Sequence, residues 1–230
     1  MSSIQTNLNK ISKQILIAAT SCGRLPDQVQ LIAVSKRKSV DIVKQAIKAG
    51  VLNLGENYIQ EAIEKIDIIG KDAACWHFIG HLQSNKARVA VQYFDIIHTV
   101  DSHKLAKEIN KQAQKIGKIQ KILVQVNISD EKNKSGTTRE DTFELVSAIS
   151  SLEHISLQGL MCMPPYFSEP EKARHYFKQL KALKQDIMAR GLENVFLDHL
   201  SMGMSNDFKV AIEEGATMVR IGTSIFGERD

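Results

Sequence analysis

The chain has 230 residues, 43% of them hydrophobic, and a formal net charge of +4. That length is ample for a sizeable core and fits one α/β barrel or one doubly wound domain, and the apolar fraction excludes a disordered chain. The basic excess is mild and spread along the sequence; its one cluster, Lys36-Arg37-Lys38, is too short to mark a nucleic-acid surface, and phosphate handling and a solvated loop stay open for it.

Residues Met1 to Gln5 lack a signal-peptide core, and no apolar stretch approaches membrane-spanning length. Cys22, Cys75 and Cys162 are odd in number, widely spaced and form no CxxC pair, as reduced thiols do in a cytosolic protein. The expectation is a cytoplasmic protein with no membrane partner. No large exposed apolar stripe is visible, so a monomer is expected.

Taken in order, residues from Ile4 to Cys22 have helical spacing, with Ile4, Leu8, Ile11, Ile15 and Ala19 on one stripe. Short apolar runs then predict strands at Gln30–Ser35, Val51–Gly55, Trp76–Gly80, Ile96–Val100, Lys121–Asn127, Ser156–Met161, Val195–Leu200 and Met218–Ile221. Helices are predicted between them. Ser39–Gly50 opens on a serine cap and stops at glycine, and Ser102–Gly117 repeats that pattern. A polar loop at Lys132–Gly136 precedes a helix at Arg139–Ser151, and a long charged helix covers Glu169–Gly191. Eight strands alternating with helices predict a (β/α)8 barrel of TIM type over residues 1–230, one domain with an extra N-terminal helix. An open doubly wound sheet is the alternative; against it, no GxGxxG occurs.

Unusual polar residues fall just after the predicted strands: Lys36, then Glu56 and Asn57, then His81, with Asn127 ending the fifth strand, Ser201 following the seventh and Gly222-Thr223 the eighth. In a barrel these points converge on the face that carries active sites. Lys36 ends the run Leu31-Ile32-Ala33-Val34-Ser35, where a lysine has no packing role. Such an ammonium either snorkels to solvent or serves as an amine for Schiff-base chemistry. Strand alternation puts Ile32, Val34 and Lys36 on one face, and Met218 and Arg220 on one face of the last strand. Barrel closure makes these strands neighbours, so Lys36 and Arg220 are expected close together. Each cation favours the neutral amine of Lys36 and an anionic ligand between them. Barrels often hold phosphate after strands 7 and 8, where this chain reads Ser201-Met202-Gly203-Met204-Ser205 and Gly222-Thr223-Ser224. A lysine with a phosphate cradle suggests pyridoxal 5′-phosphate (PLP), although aldolase-type barrels combine the same two features.

Further segments carry a resemblance. They are Ala33-Val34-Ser35-Lys36, Gly55-Glu56-Asn57-Tyr58, the run from Trp76 to Lys86 (WHFIGHLQSNK), Val126-Asn127, Lys134-Ser135-Gly136, Gly159-Leu160-Met161-Cys162, the run from Leu200 to Asp207 (LSMGMSND) and the run from Val219 to Gly227 (VRIGTSIFG). In these motifs the chain resembles the pyridoxal-phosphate homeostasis protein family over nearly its whole length. The resemblance implies a barrel like the N-terminal domain of alanine racemase, with PLP on Lys36. It implies phosphate contacts around Ser201, Gly222 and Thr223, Arg220 near the pyridine nitrogen, and Asn57, His81 and Met161 lining the same pocket.

Three functions compete. An amino-acid racemase or decarboxylase is one. Racemisation needs a base on each face of the α-carbon. In the racemases the second base comes from a second domain, and this chain stops at Asp230. A guanidinium beside the pyridine nitrogen also keeps that nitrogen unprotonated, a weaker electron sink. A PLP-holding, buffering or delivering protein needs only a reversible Schiff base at Lys36; it ranks first, with apo PLP-dependent enzymes as candidate recipients. A nucleic-acid module ranks last, for want of interleaved aromatics. His77 and His81, four residues apart, lack a clear third metal ligand. Asp198-His199 reads as a strand-end network, and Met161, Met163, Met202 and Met204 as packing around the pocket.

Overall fold

The computed structural model describes residues 3–131, 134–193 and 195–227. Eight parallel strands close into one ring, each hydrogen-bonded to its sequence neighbours and the first to the last. They are β1 (Gln30–Val34), β2 (Asn53–Glu56), β3 (Cys75–Phe78), β4 (Ile96–Val100), β5 (Gln120–Val126), β6 (Ile155–Cys162), β7 (Val195–Met204) and β8 (Met218–Ile221). Around them run α1 (Ile4–Ser21), α2 (Val40–Lys48), α3 (Ile59–Ile69), α4 (Ala87–Tyr93), α5 (His103–Lys115), α6 (Arg139–Ser150), α7 (Arg174–Met188), α8 (Phe208–Glu213) and α9 (Thr223–Phe226). The barrel expectation holds, and the open sheet is excluded by the β1–β8 pairing.

Local chemistry explains the helix boundaries. The hydroxyls of Ser3, Ser39, Ser102 and Thr138 each accept a backbone N–H three residues on, satisfying donors that a helix start leaves open. The long helix expected from Glu169 begins instead with a 3-10 turn, Pro170–Ala173, because proline fits the first helical position and lacks an N–H. Of the polar loop expected at Lys132–Gly136, Lys132 and Asn133 lie outside the described residues.

Two apolar layers result from strand alternation. Ile32, Ile96, Leu123, Met161 and Met218 come from five different strands and touch one another, so they fill the barrel interior. Ala33, Leu54, Trp76, Phe78, Val219 and Ile221 face the other way and pack with the helices. Phe78 and Phe94 meet edge to face at 5.1 Å. Fully buried side chains of this size each contribute roughly 1.5–3 kcal/mol. α1 lies along α8 and α9, and Asn7 Nδ2 donates to Ile225 O at 2.9 Å.

β4 and β8 keep the expected bounds, β1, β5 and β6 differ by one residue at one end or both, and β2, β3 and β7 differ by more. β2 starts at Asn53 and includes Glu56, and β3 runs from Cys75 to Phe78. β7 continues four residues past Leu200. The register there runs from Ser201↔Met218 to Met204↔Arg220, so β7 carries an extra residue, a bulge. Gly203 supplies it: its φ is +91°, and a Cβ would lie 2.6 Å from Ala211 Cβ of α8. Alternation past Ser201 is thereby shifted by one.

Candidate functional site

Lys36 stands two residues beyond β1, at the C-terminal end of the barrel. A cavity of about 530 Å³ opens there, lined by Val34, Lys36, Lys38, Asn57, Tyr166, Met204, Ser205, Asn206, Arg220, Gly222 and Thr223 among others. The Ile32↔Arg220 register brings Arg220 beside the strand that points Val34 and Lys36 inward. Lys36 and Arg220 therefore share one cavity, as strand alternation predicts. No carboxylate or imidazole lines it among the described residues. A smaller compartment of about 250 Å³ adjoins it, containing His81, Thr99, Gln125, Lys134 and Met161; Asn57, Ile79 and Met163 line both. A groove of about 640 Å³ between α1 and α8 is larger, but it shares only Ser205 and Asn206 with the strand-end cavity and none of its cations.

The turn after β7 forms one wall. Asp207 Oδ1 accepts the Met204 N–H at 2.6 Å, and Asp207 N–H returns to Met204 O at 3.1 Å, fixing Ser205 and Asn206 between them. Beside it stands the start of α9, whose cap residue Gly222 supplies no side-chain cap bond. The N–H groups opening such a helix have no intrahelical acceptor and suit an anion. Thr223 Oγ1 lies 3.2 Å from Ser205 Oγ, so two hydroxyls flank the same spot. Asn57 Oδ1 is buried with no hydrogen-bond partner, an acceptor left for a ligand donor.

Beneath the cavity, Arg220 is 3% exposed and heads a hydrogen-bonded chain through the barrel interior. Its Nη1 donates to Ser201 Oγ at 2.6 Å and its Nη2 to Cys162 O at 2.9 Å. Ser201 Oγ is 3.0 Å from His98 Nδ1, His98 Nε2 is 2.9 Å from His77 Nδ1, and His77 Nε2 is 3.2 Å from Asn53 Oδ1. Arginine only donates, and an amide oxygen only accepts. With both imidazoles neutral, every hydrogen then points one way, from Arg220 towards Asn53. Burial keeps them neutral: it lowers His77 to about 3, and with the neighbouring His77 and Arg220 it holds His98 well below the ordinary imidazole value. Burial also lowers the Arg220 guanidinium below its ordinary value, with Cys162 and Asp207 opposing.

The structure thus brings Lys36, Asn57, Arg220, Gly222 and Thr223 together in one cavity, with His81 and Met161 in the adjoining compartment. Ser201 lines neither; it is fully buried and its hydroxyl is engaged by Arg220 and His98. The placement does not support the phosphate contact expected of Ser201: past the bulge at Gly203 it is Ser205, not Ser201, that lines the cavity. Lys38, Ser205 and Asn206 appeared in the sequence only as members of a basic cluster, a loop or a motif, and Tyr166 not at all. Ser205 carried a signal, since it ends the small-residue run after the seventh strand; Tyr166, in an irregular loop, carried none. Glu56 points away from the cavity and bonds Lys65 Nζ of α3 at 2.7 Å. His199 Nδ1 meets Thr217 Oγ1 at 3.2 Å, a contact from within β7 to the residue that precedes β8. Among the described residues, no group of three or more His, Cys, Asp or Glu side chains is placed to hold a metal ion, and no helix is long and apolar enough to cross a membrane.

The family model described as "Alanine racemase, N-terminal domain" matches residues 6–230. A protein of Vibrio alginolyticus named "Pyridoxal phosphate homeostasis protein" is 46% identical over 100% of this chain and 99% of its own length. PipY of Synechococcus elongatus PCC7942, solved with PLP bound, is 34% identical with a TM-score of 0.87, covering 98% of this chain and 100% of that one. An alanine racemase of Clostridium difficile 630 shares the fold, with a TM-score of 0.74 at 18% identity over 99% of this chain and 57% of that one.

Proposed function

The chain belongs to the alanine racemase N-terminal domain family and, within it, to the pyridoxal phosphate homeostasis proteins; we propose that it binds PLP at Lys36 and holds it for release to apo-enzymes instead of turning over amino acids. One observation carries the reading. Lys36 and Arg220 line a single cavity whose wall includes the open start of α9, flanked by the hydroxyls of Ser205 and Thr223. The cavity's cations, its anion-binding wall and the unpartnered Asn57 Oδ1 fit an aromatic aldehyde that carries a phosphate and a ring hydroxyl.

Bound there, PLP would supply an electrophilic carbonyl and, with its ring nitrogen protonated, an electron sink. The chain's own groups favour the first property over the second. Lys36 offers the amine that captures the carbonyl reversibly. Arg220 has two of its nitrogens committed to Ser201 and Cys162 and only N–H groups to offer the cavity, so a ring nitrogen it held would be an unprotonated one. The donor chain behind it has no proton to pass upward, because each link already donates away from the cavity. Neither imidazole nor carboxylate is found among the described lining residues, where the titratable side chains besides Lys36 and Arg220 are Lys38 and Tyr166.

The test is borohydride reduction of the PLP-loaded protein followed by peptide mapping. Pyridoxyl on Lys36, with loss of the visible cofactor band in a folded Lys36→Ala variant, is the expected result. Label found mainly on another lysine would remove the basis of the assignment. Chiral analysis of L-alanine incubated with the loaded protein addresses the second half; turnover of about 1 per second, the low end of ordinary enzymes, would favour a racemase instead.

A further inference from the structure

Behind Lys36, on the helix side of the barrel wall, lies a buried cluster that the cavity does not use. Glu56 is fully buried and Lys65 is 3% exposed. Lys65 Nζ donates to Glu56 Oε1 at 2.7 Å, to Glu61 Oε1 at 2.6 Å and to the carbonyl of Ser35 at 2.7 Å. Ser35 Oγ donates to Glu56 Oε1 at 2.6 Å, and the Arg37 N–H donates to Glu61 Oε1. Ser35 N–H pairs with Gly55 O at 3.0 Å, and Lys38 N–H closes a turn onto Ser35 O at 3.1 Å. Every charged group of the cluster ends on a residue adjacent to Lys36.

A buried ion pair is weak support for stability, since apolar side chains of the same volume commonly serve as well. What this one does is specific to the chain around Lys36. Ser35 and Lys36 point to opposite sides of the strand line, so fixing the hydroxyl and carbonyl of Ser35 outward aims Lys36 inward. Arg37 adopts φ +60°, a left-handed conformation disfavoured for a residue with a Cβ. Its amide is caught by Glu61, which holds that conformation in place.

We infer that Glu56, Lys65 and Glu61 form a positioning clamp that aims the Lys36 amine at the cofactor carbonyl. None of the three lines the cavity. The inference rests on the reading of Lys36 as the PLP-binding amine, and its test separates the two.

Glu61 is the member of the cluster best suited to substitution, with 25% of its side chain exposed. Glu61→Gln keeps an oxygen to accept the Arg37 N–H; Glu61→Leu does not. A remote core variant, Ile149→Val on α6, matched for its loss of Tm, controls for stability. Two quantities are read: amide hydrogen exchange at Arg37 and Lys38 in cofactor-free protein, and PLP affinity with the share of borohydride-fixed label on Lys36. Glu61→Leu should speed exchange and weaken PLP binding about tenfold, as loss of one charge-assisted bond implies. Glu61→Gln should stay within about threefold of the native protein, and Ile149→Val should leave both quantities unchanged. Faster exchange with undiminished binding overturns the clamp alone, as does a Glu61→Gln loss equal to that of Glu61→Leu. Native protein without label on Lys36 overturns the cofactor reading and the clamp with it.

Discussion

Replacing Ser201 by alanine separates two roles that a serine at the end of β7 can take. If Ser201 reached the cofactor, its loss would weaken PLP binding and leave the cofactor-free protein as stable as before. The geometry demands the reverse. Ser201→Ala deletes the acceptor of the Arg220 bond at 2.6 Å and the donor to His98 at 3.0 Å, both in a fully buried setting. A hydrogen bond to a charged group contributes roughly 1.5–3 kcal/mol and a neutral one roughly 0.5–1.5. Alanine adds no partner for the Arg220 N–H or the His98 nitrogen, so the expected loss is about 2–4 kcal/mol. Urea unfolding of cofactor-free protein, with an m-value of about 2–3 kcal/mol/M, should show the midpoint fall by about 1 M with m unchanged. Ser205→Ala is the counterpart: its hydroxyl touches only the exposed Thr223 in the cavity wall, so stability should stay within about 0.5 kcal/mol. A Ser201→Ala protein as stable as native, but at least about tenfold weaker for PLP, would show that the interior chain is misassigned.

Thr223→Val combined with Ser205→Ala should cut PLP affinity about tenfold or more while leaving pyridoxal, which lacks the phosphate, nearly unaffected; dissociation constants for the two ligands decide it. The neutral histidines make stability depend on pH with a definite sign. Their folded pKa values lie below the unfolded 6.5, so stability present above pH 6.5 is lost as the unfolded chain takes up protons below it. Each contributes a slope of about 1.4 kcal/mol per pH unit. Glu56 and Asp207, raised by burial, act in the opposite direction. Comparing native with His98→Gln isolates the effect: denaturant unfolding between pH 6 and 5 should give a slope smaller by about 1.4 kcal/mol per pH unit in the variant, and identical slopes would show that His98 is already charged. Gly80→Ala would place a Cβ 2.0 Å from Asn57 O; it should push Asn57 out of the wall between the two compartments and weaken PLP binding, measured beside the melting temperature.

Much of the site was legible in the sequence because strand alternation is a rigid rule over short distances. Lys36 follows Ile32 and Val34 by steps of two, and Arg220 follows Met218 likewise; closure of the ring then fixed their meeting. The rule failed where the backbone broke it. One extra residue at Gly203 reversed the facing of everything after Ser201, and nothing local distinguishes a bulge glycine from a turn glycine before α8 is seen packed against it. The interior chain was invisible for another reason. His77, His98 and Ser201 are far apart in sequence, and the pairing of polar groups across a barrel depends on register that periodicity does not supply. The Ser35–Glu56–Lys65 cluster was hidden similarly, since α3, which carries Lys65, was not delimited in advance.

The two halves of the site impose opposite demands, and their combination argues for retention over chemistry. On the β1 side, a clamped backbone keeps one amine aimed inward, which lowers the entropic cost of capturing a carbonyl. On the β8 side, a one-directional run of donors leaves Arg220 able only to donate, which would withhold from a pyridine nitrogen held there, as proposed, the proton that makes the ring an electron sink. A racemase built on this barrel would need that proton and a second base. His81 is the imidazole nearest in placement, yet it lines the smaller compartment, where Asn57, Ile79 and Met163 form the shared boundary. Recruiting His81 as that base would mean opening the boundary, which Gly80 allows Asn57 to hold at close range, and the cavity's own candidates are Lys38 and Tyr166. Reversible capture at Lys36, as proposed, needs neither that proton nor a second base.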